Sequence, residues 1–131
     1  MTLETEWLEP GRVLLLRIAG DVNIADLQAT IAATREARQH VIPNHRFHTV
    51  TDLTAIGKIP LTITELKNAL HELGEIRSSG WAVVISNANP VVHFMVTTLA
   101  QLFNFRVRIF TDLEEGLAFL YQIDETLPER T

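Results

Sequence analysis

The chain has 131 residues, a length that suits one domain over residues 1–131 with a single buried core. Without cysteine it has no disulfide, no thiol nucleophile and no cysteine-held zinc. Apolar residues make up 47% and charged residues 21%, and the net charge of −5 comes with no basic stripe, so the sequence reads as globular and gives no grounds for a nucleic-acid partner.

Leu3 to Leu8 alternates loosely between apolar and polar residues. Glu9-Pro10-Gly11-Arg12 follows, with proline and glycine in the second and third positions that a type II turn requires, and Val13 to Ile18 returns as the second strand. Ala19-Gly20-Asp21 ends it. Asn23 then caps a helix whose apolar face is Ile24, Leu27, Ile31 and Thr34, with Asp26 in its first turn. Phe47 to Leu53 reads as a third strand. Thr62 and Glu65 form a capping box ahead of Leu66, Ala69, Leu70, Leu73 and Ile76, and Ser78-Ser79-Gly80 reads as the stop of that helix. Trp81 to Ile85 is a continuous apolar strand. Asn89-Pro90 is a cap followed by proline at the first helical position, and it opens a third helix through Val92, Met95, Val96, Leu99 and Leu102. Val107 to Phe110 is the fifth strand. Thr111 with Glu114, or Asp112 with Glu115, caps a last helix built on Leu113, Leu117, Leu120 and Tyr121.

The order β-β-α-β-α-β-α-β-α predicts an α/β fold. Its mixed five-stranded sheet begins with an antiparallel hairpin and continues through right-handed parallel crossovers, with four helices. The acidic start, Met1 to Glu6, has no apolar stretch of the signal-peptide kind. No apolar run approaches the roughly 18–20 residues of a membrane span. The expectation is a cytoplasmic protein without membrane insertion.

This order resembles the STAS domain, and within it the SpoIIAA-like family of anti-sigma-factor-antagonist-like folds. The residues that carry the resemblance are Ile18-Ala19-Gly20-Asp21-Val22 before the first helix, Thr51-Asp52-Leu53-Thr54 closing the third strand, and Trp81-Ala82-Val83-Val84-Ile85-Ser86 in the fourth. The fifth strand and last helix add Arg108-Ile109-Phe110-Thr111-Asp112-Leu113-Glu114-Glu115-Gly116-Leu117. The resemblance implies a non-catalytic regulatory or protein-interaction module. Anti-sigma antagonists carry a phosphorylatable serine in an Asp-Ser-Ser-Gly context after the third strand. The stretch Ala55 to Thr64 has no such serine, and its nearest hydroxyls are Thr62 and Thr64. That departure weakens the case for a phospho-switch.

Two sets of residues are candidates for contact with a partner. Asp52, Lys58, Thr62 and Thr64 lie on the loop at the carboxyl end of a central strand, where open α/β sheets bind ligands and a helix N-terminus attracts anions. The simpler reading is that Thr62 is a plain N-cap and Lys58 a solvated charge. Asp52 lacks the acidic pair and the lysine of a receiver-type phospho-acceptor, and is better suited to accept hydrogen bonds from the loop that follows it. Ser86 to Pro90 could share a pocket with that loop or be a turn with a cap.

The second set is apolar: Ile56, Ile59 and Leu61 in the loop, and Phe94, Met95 and Phe103 on the third helix. That helix is apolar well beyond one stripe, a pattern that calls for burial on two sides, by the last helix, by a homodimer contact or by a small apolar or lipid-like ligand. The five histidines are scattered, and His45 and His48 face opposite sides of a strand, so they read as core or solvated groups and not as metal ligands. No nucleophile, base and orienter converge, and no enzyme, metal or cofactor is expected.

Overall fold

The computed structural model describes residues 1–60, 62–75, 80–87, 89–104 and 106–128. It forms β1 (Thr2–Glu9), β2 (Val13–Gly20), α1 (Ile24–Arg38), β3 (His48–Ile56), α2 (Ile63–Glu75), β4 (Ala82–Ile85), α3 (Pro90–Phe103), β5 (Val107–Phe110) and α4 (Leu113–Ile123), in the predicted order. The hairpin turn closes where the Arg12 N–H donates to the Glu9 carbonyl at 2.9 Å. Gly11 there has φ +73°, the left-handed geometry that the third turn position demands. A Cβ on Gly11 would also lie 2.7 Å from Ile42 Cγ1 and 2.9 Å from the His40 carbonyl.

The helix starts are held as the sequence predicts. Asn23 and Asp26 form a reciprocal capping box. Thr62 and Glu65 form another, with the Glu65 N–H donating to Thr62 Oγ1 and the Thr62 N–H to Glu65 Oε1. Asn89 accepts from the Val91 and Val92 N–H groups ahead of which Pro90 needs no partner. Asp112, not Thr111, caps α4. β2 and β3 run past their predicted ends at Ile18 and Leu53, because Ala19 and Gly20 pair with Ala55 and Ile56. Leu73 and Ile76 of the predicted α2 face, and Ser78-Ser79 of its stop, lie outside the described residues or side chains.

The sheet order is β1-β2-β3-β4-β5, antiparallel for the first pair and parallel for the rest. α1 packs beside α2 and α2 beside α3 on one face, while α4 packs its Leu117 and Leu120 on the other. The alternation of β2 supplies both cores. Val13 and Leu15 join Val50, Val83 and Ile85 under Leu117 and Leu120 of α4. Leu14 and Leu16 join Phe47 and Ala37 on the α1 side, where the Trp7 and Phe47 rings meet at 5.8 Å. Among the described residues, no helix is long and apolar enough to cross a membrane.

Candidate partner-binding site

The carboxyl ends of β2 and β3 are joined as one ledge. The Gly57 N–H donates to the Gly20 carbonyl at 2.8 Å, the Val22 N–H to the Lys58 carbonyl at 2.9 Å, and the Lys58 N–H to Asp21 Oδ1 at 2.7 Å. The backbone of Lys58 is therefore fixed while its side chain stays exposed. A bulge follows Asp52, since two steps along β2 from Arg17 to Ala19 match three along β3 from Asp52 to Ala55. Its Oδ1 accepts from the Thr54 N–H at 3.0 Å and the Thr54 hydroxyl at 2.7 Å. Thr62 Oγ1 donates to Glu65 Oε1 at 3.1 Å while capping α2. A carboxylate thus already meets that helix N-terminus, which lowers its attraction for an anion. Thr64 is exposed in the first turn. The Asp52 and Thr62 side chains each have a local partner, while only the backbone of Lys58 is bound, by Asp21.

Ser86 is 2% exposed, its N–H donating to the Phe110 carbonyl, and Asn87 Nδ2 donates to the Thr54 carbonyl. Asn87 thus ties the end of β4 to β3, and Asn89 caps α3.

The apolar candidates divide. Ile56, Ile59 and Met95 are half-buried, and Leu61 and the Phe103 side chain lie outside the described residues and side chains. Phe94 is 61% exposed, with Val91 at 57% and Leu102 at 50% on the same side of α3. The spacing of three and eight residues brings these three into one stripe at 3.6 residues per turn. No Asp, Glu, Lys or Arg occurs anywhere in Pro90–Phe103.

Two features escaped the sequence reading. The first is a polar groove on the α4 side of the sheet, beyond the reach of α4. Register places Glu4, Arg17 and Asp52 side by side there, and two open cavities of about 250 and 360 Å³ share Glu4 and Arg17 in their walls. Glu6 Oε2 lies 3.6 Å from Arg17 Nη1.

The second feature lies at the opposite end of the sheet. There the guanidinium of Arg12, the ring of His48 and the carboxylate of Asp124 are all buried together. Arg12 Nη2 is 3.1 Å and His48 Nε2 2.8 Å from Asp124 Oδ2, and His48 Nδ1 accepts from the Trp81 N–H at 3.0 Å. Only a neutral imidazole with its proton on Nε2 satisfies both contacts. His48 is therefore a core histidine, while His45 is exposed. Among the described residues, no cluster of three His, Cys, Asp or Glu groups could hold a metal.

Burial pushes His48 below the usual 6.5, outweighing the pull of the Asp124 carboxylate. Burial alone would raise Asp124, but hydrogen bonds from Thr126 and His48 prevail and hold it at about 2 against an ordinary 3.8. In both cases the unfolded chain binds a proton more readily than the fold does, so acid destabilises. The His48 contribution is complete above pH 6.5 and declines as pH falls below it. The Asp124 contribution, about 2 kcal/mol, is complete above pH 3.8 and is lost as pH falls to about 2. Urea unfolding across a pH series should show a midpoint that drops in these two stages.

No protein-family model matches the sequence, and no curated protein matches it. Among solved structures, the chain is similar to an uncharacterised DUF3478-family protein with a SpoIIAA-like fold from Shewanella loihica PV-4. That match has a TM-score of 0.63 and 11% identity over 91% of this chain and 92% of the other. The chain is also similar to the anti-sigma factor antagonist SpoIIAA in its unphosphorylated form, with a TM-score of 0.52 and 12% identity over 92% of this chain and 98% of the other. With its antiparallel opening pair, three parallel crossovers and four helices, the chain has the SpoIIAA-like fold.

Proposed function

We propose that the protein is a non-catalytic, cytoplasmic regulatory or interaction module of the STAS kind that self-associates through α3. The observation that carries this reading is the stripe of Val91, Phe94 and Leu102, exposed by half or more on a helix without a charged residue. Apolar patches of this kind mark interaction surfaces. Two copies of an uncharged helix can also meet about a two-fold axis without like-charge repulsion. One protein of the same fold is an anti-sigma factor antagonist, which supports an interaction role over a catalytic one. The ledge formed by Gly57 and Lys58, with Thr62 and Thr64 beyond it, is the proposed second contact surface.

Burying Phe94 would remove on the order of 100 Å² of apolar surface from water, worth about 2–3 kcal/mol. Phe94→Glu should therefore weaken self-association by about 100-fold while leaving the urea midpoint of dilute, monomeric protein unchanged, because the side chain is exposed in the fold. Sedimentation equilibrium of the two proteins measures this. Equal association of Phe94→Glu and the unsubstituted chain would remove α3 from the interface. A lipid or small acid found by native mass spectrometry on protein from its own host, with no self-association, would favour a carrier instead.

A further inference from the structure

Beyond α4 the chain runs on through Asp124, Glu125, Thr126 and Leu127, and this short segment closes the lower end of the sheet. We infer that Asp124–Leu127 is an acid-releasable strap, opened when His48 gains a proton while the sheet remains folded. The ring of His48 is fully buried and both its nitrogens are committed, Nδ1 to the Trp81 N–H and Nε2 to Asp124. A proton on Nδ1 would set two N–H donors against each other. The ring has no room to slide away, since even a Cβ on Gly80 would come within 2.3 Å of Nδ1.

Among the described residues, the charged groups that face His48 are Asp124 from the end of α4, Arg12 from the hairpin turn and Arg46 from the segment before β3. Charging His48 would bring a third cation to a site with one carboxylate. Such a ring has to reach water, and the strap is the part that yields. The start of β3 is held on both sides, by its His48 N–H to the Arg12 carbonyl at 2.8 Å and its Thr49 N–H to the Trp81 carbonyl at 3.1 Å. The strap belongs to no strand. It is held by Arg12, which donates to the Thr126 carbonyl at 3.2 Å and to Thr126 Oγ1 at 2.6 Å, by Asp124, and by the seat of Leu127 in the core. Apart from the Asp124 N–H, which donates to the Leu120 carbonyl at the end of α4, the polar anchors that tie the strap to the sheet pass through the groups around His48.

Amide hydrogen exchange, followed by NMR and corrected for intrinsic rates, tests this on the full chain and on His48→Gln, from about pH 7.5 to about pH 4.5, a range that spans ordinary histidine titration. In the unsubstituted chain, the Thr126 and Leu127 amides should lose at least about tenfold in protection as His48 charges, while Leu15, Val50 and Val83 stay protected. In His48→Gln, strap protection should not vary with pH. Loss of strap and strand protection together would mean ordinary acid unfolding and would overturn the inference. So would a strap that stays protected throughout, or the same pH dependence in His48→Gln. If His48→Gln does not fold, the His48 Cε1–H shift in the unsubstituted chain decides: it must titrate at the pH where the strap opens, and a mismatch sinks the proposal.

Discussion

Asp124→Ala should destabilise the fold by about 3–5 kcal/mol, the cost of leaving a buried charge without its counter-ion. Asp124 Oδ2 serves two partners at once, Arg12 at 3.1 Å and His48 at 2.8 Å, and Arg12 is 5% exposed. Removal of the carboxylate strands the guanidinium and the imidazole N–H in the same buried space. It also removes Oδ1, which accepts from the Thr126 N–H and hydroxyl, so the segment that carries Leu127 loses its turn. Urea unfolding should show a large drop in midpoint with an unchanged slope. A loss below about 1 kcal/mol would mean that Arg12 and His48 reach water in solution.

Gly80→Ala should cost about 3 kcal/mol or more. This glycine is needed for space, not for an unusual φ. A Cβ there would fall 2.3 Å from His48 Nδ1, 2.7 Å from His48 Cε1 and 2.7 Å from the Phe47 carbonyl. The ring cannot give way, because its other nitrogen is bound to Asp124, and the carbonyl is already the acceptor for the Gly80 N–H at 3.1 Å. Overpacking of this kind costs about 1–3 kcal/mol, and the broken bond from the Trp81 N–H to the ring adds a buried unsatisfied donor at about 1–3 kcal/mol. Thermal unfolding of the alanine variant checks it. A shift of only a degree or two would mean that β3 and β4 can separate at their starts without penalty.

These two predictions rest on contacts that residue order could not reveal. Periodicity and capping chemistry are local, and they were enough to place the hairpin, the Asn23, Thr62 and Asn89 caps and the mixed sheet. The extension of β2 and β3 was missed because Ala19, Gly20 and Ala55 have weak strand preference and pair only through register. The Arg12–His48–Asp124 cluster joins residues more than 30 and 70 positions apart. One signal did point to it: His48 follows Phe47 and stands two residues before Val50, on the same side of the strand as that apolar residue, where an unpaired imidazole would be costly. The pairing of Thr62 with Glu65 was legible as a capping box, but Asp21 as the partner of the Lys58 backbone and Thr54 as the partner of Asp52 follow from geometry. The wide apolar character of α3 was legible outright, because a helix without charges along Pro90–Phe103 cannot hide its excess against one sheet face.

The central claim is that the exposed stripe of α3 is an interface. Multi-angle light scattering of the purified chain, over a concentration series reaching about 100 times the dissociation constant of a micromolar complex, tests it most directly. The account predicts the mass of two 14.8 kDa chains at the top of the series, and for Phe94→Glu a mass of one chain at micromolar concentration that rises only about midway to two at the top. A clean monomer at every concentration would contradict it.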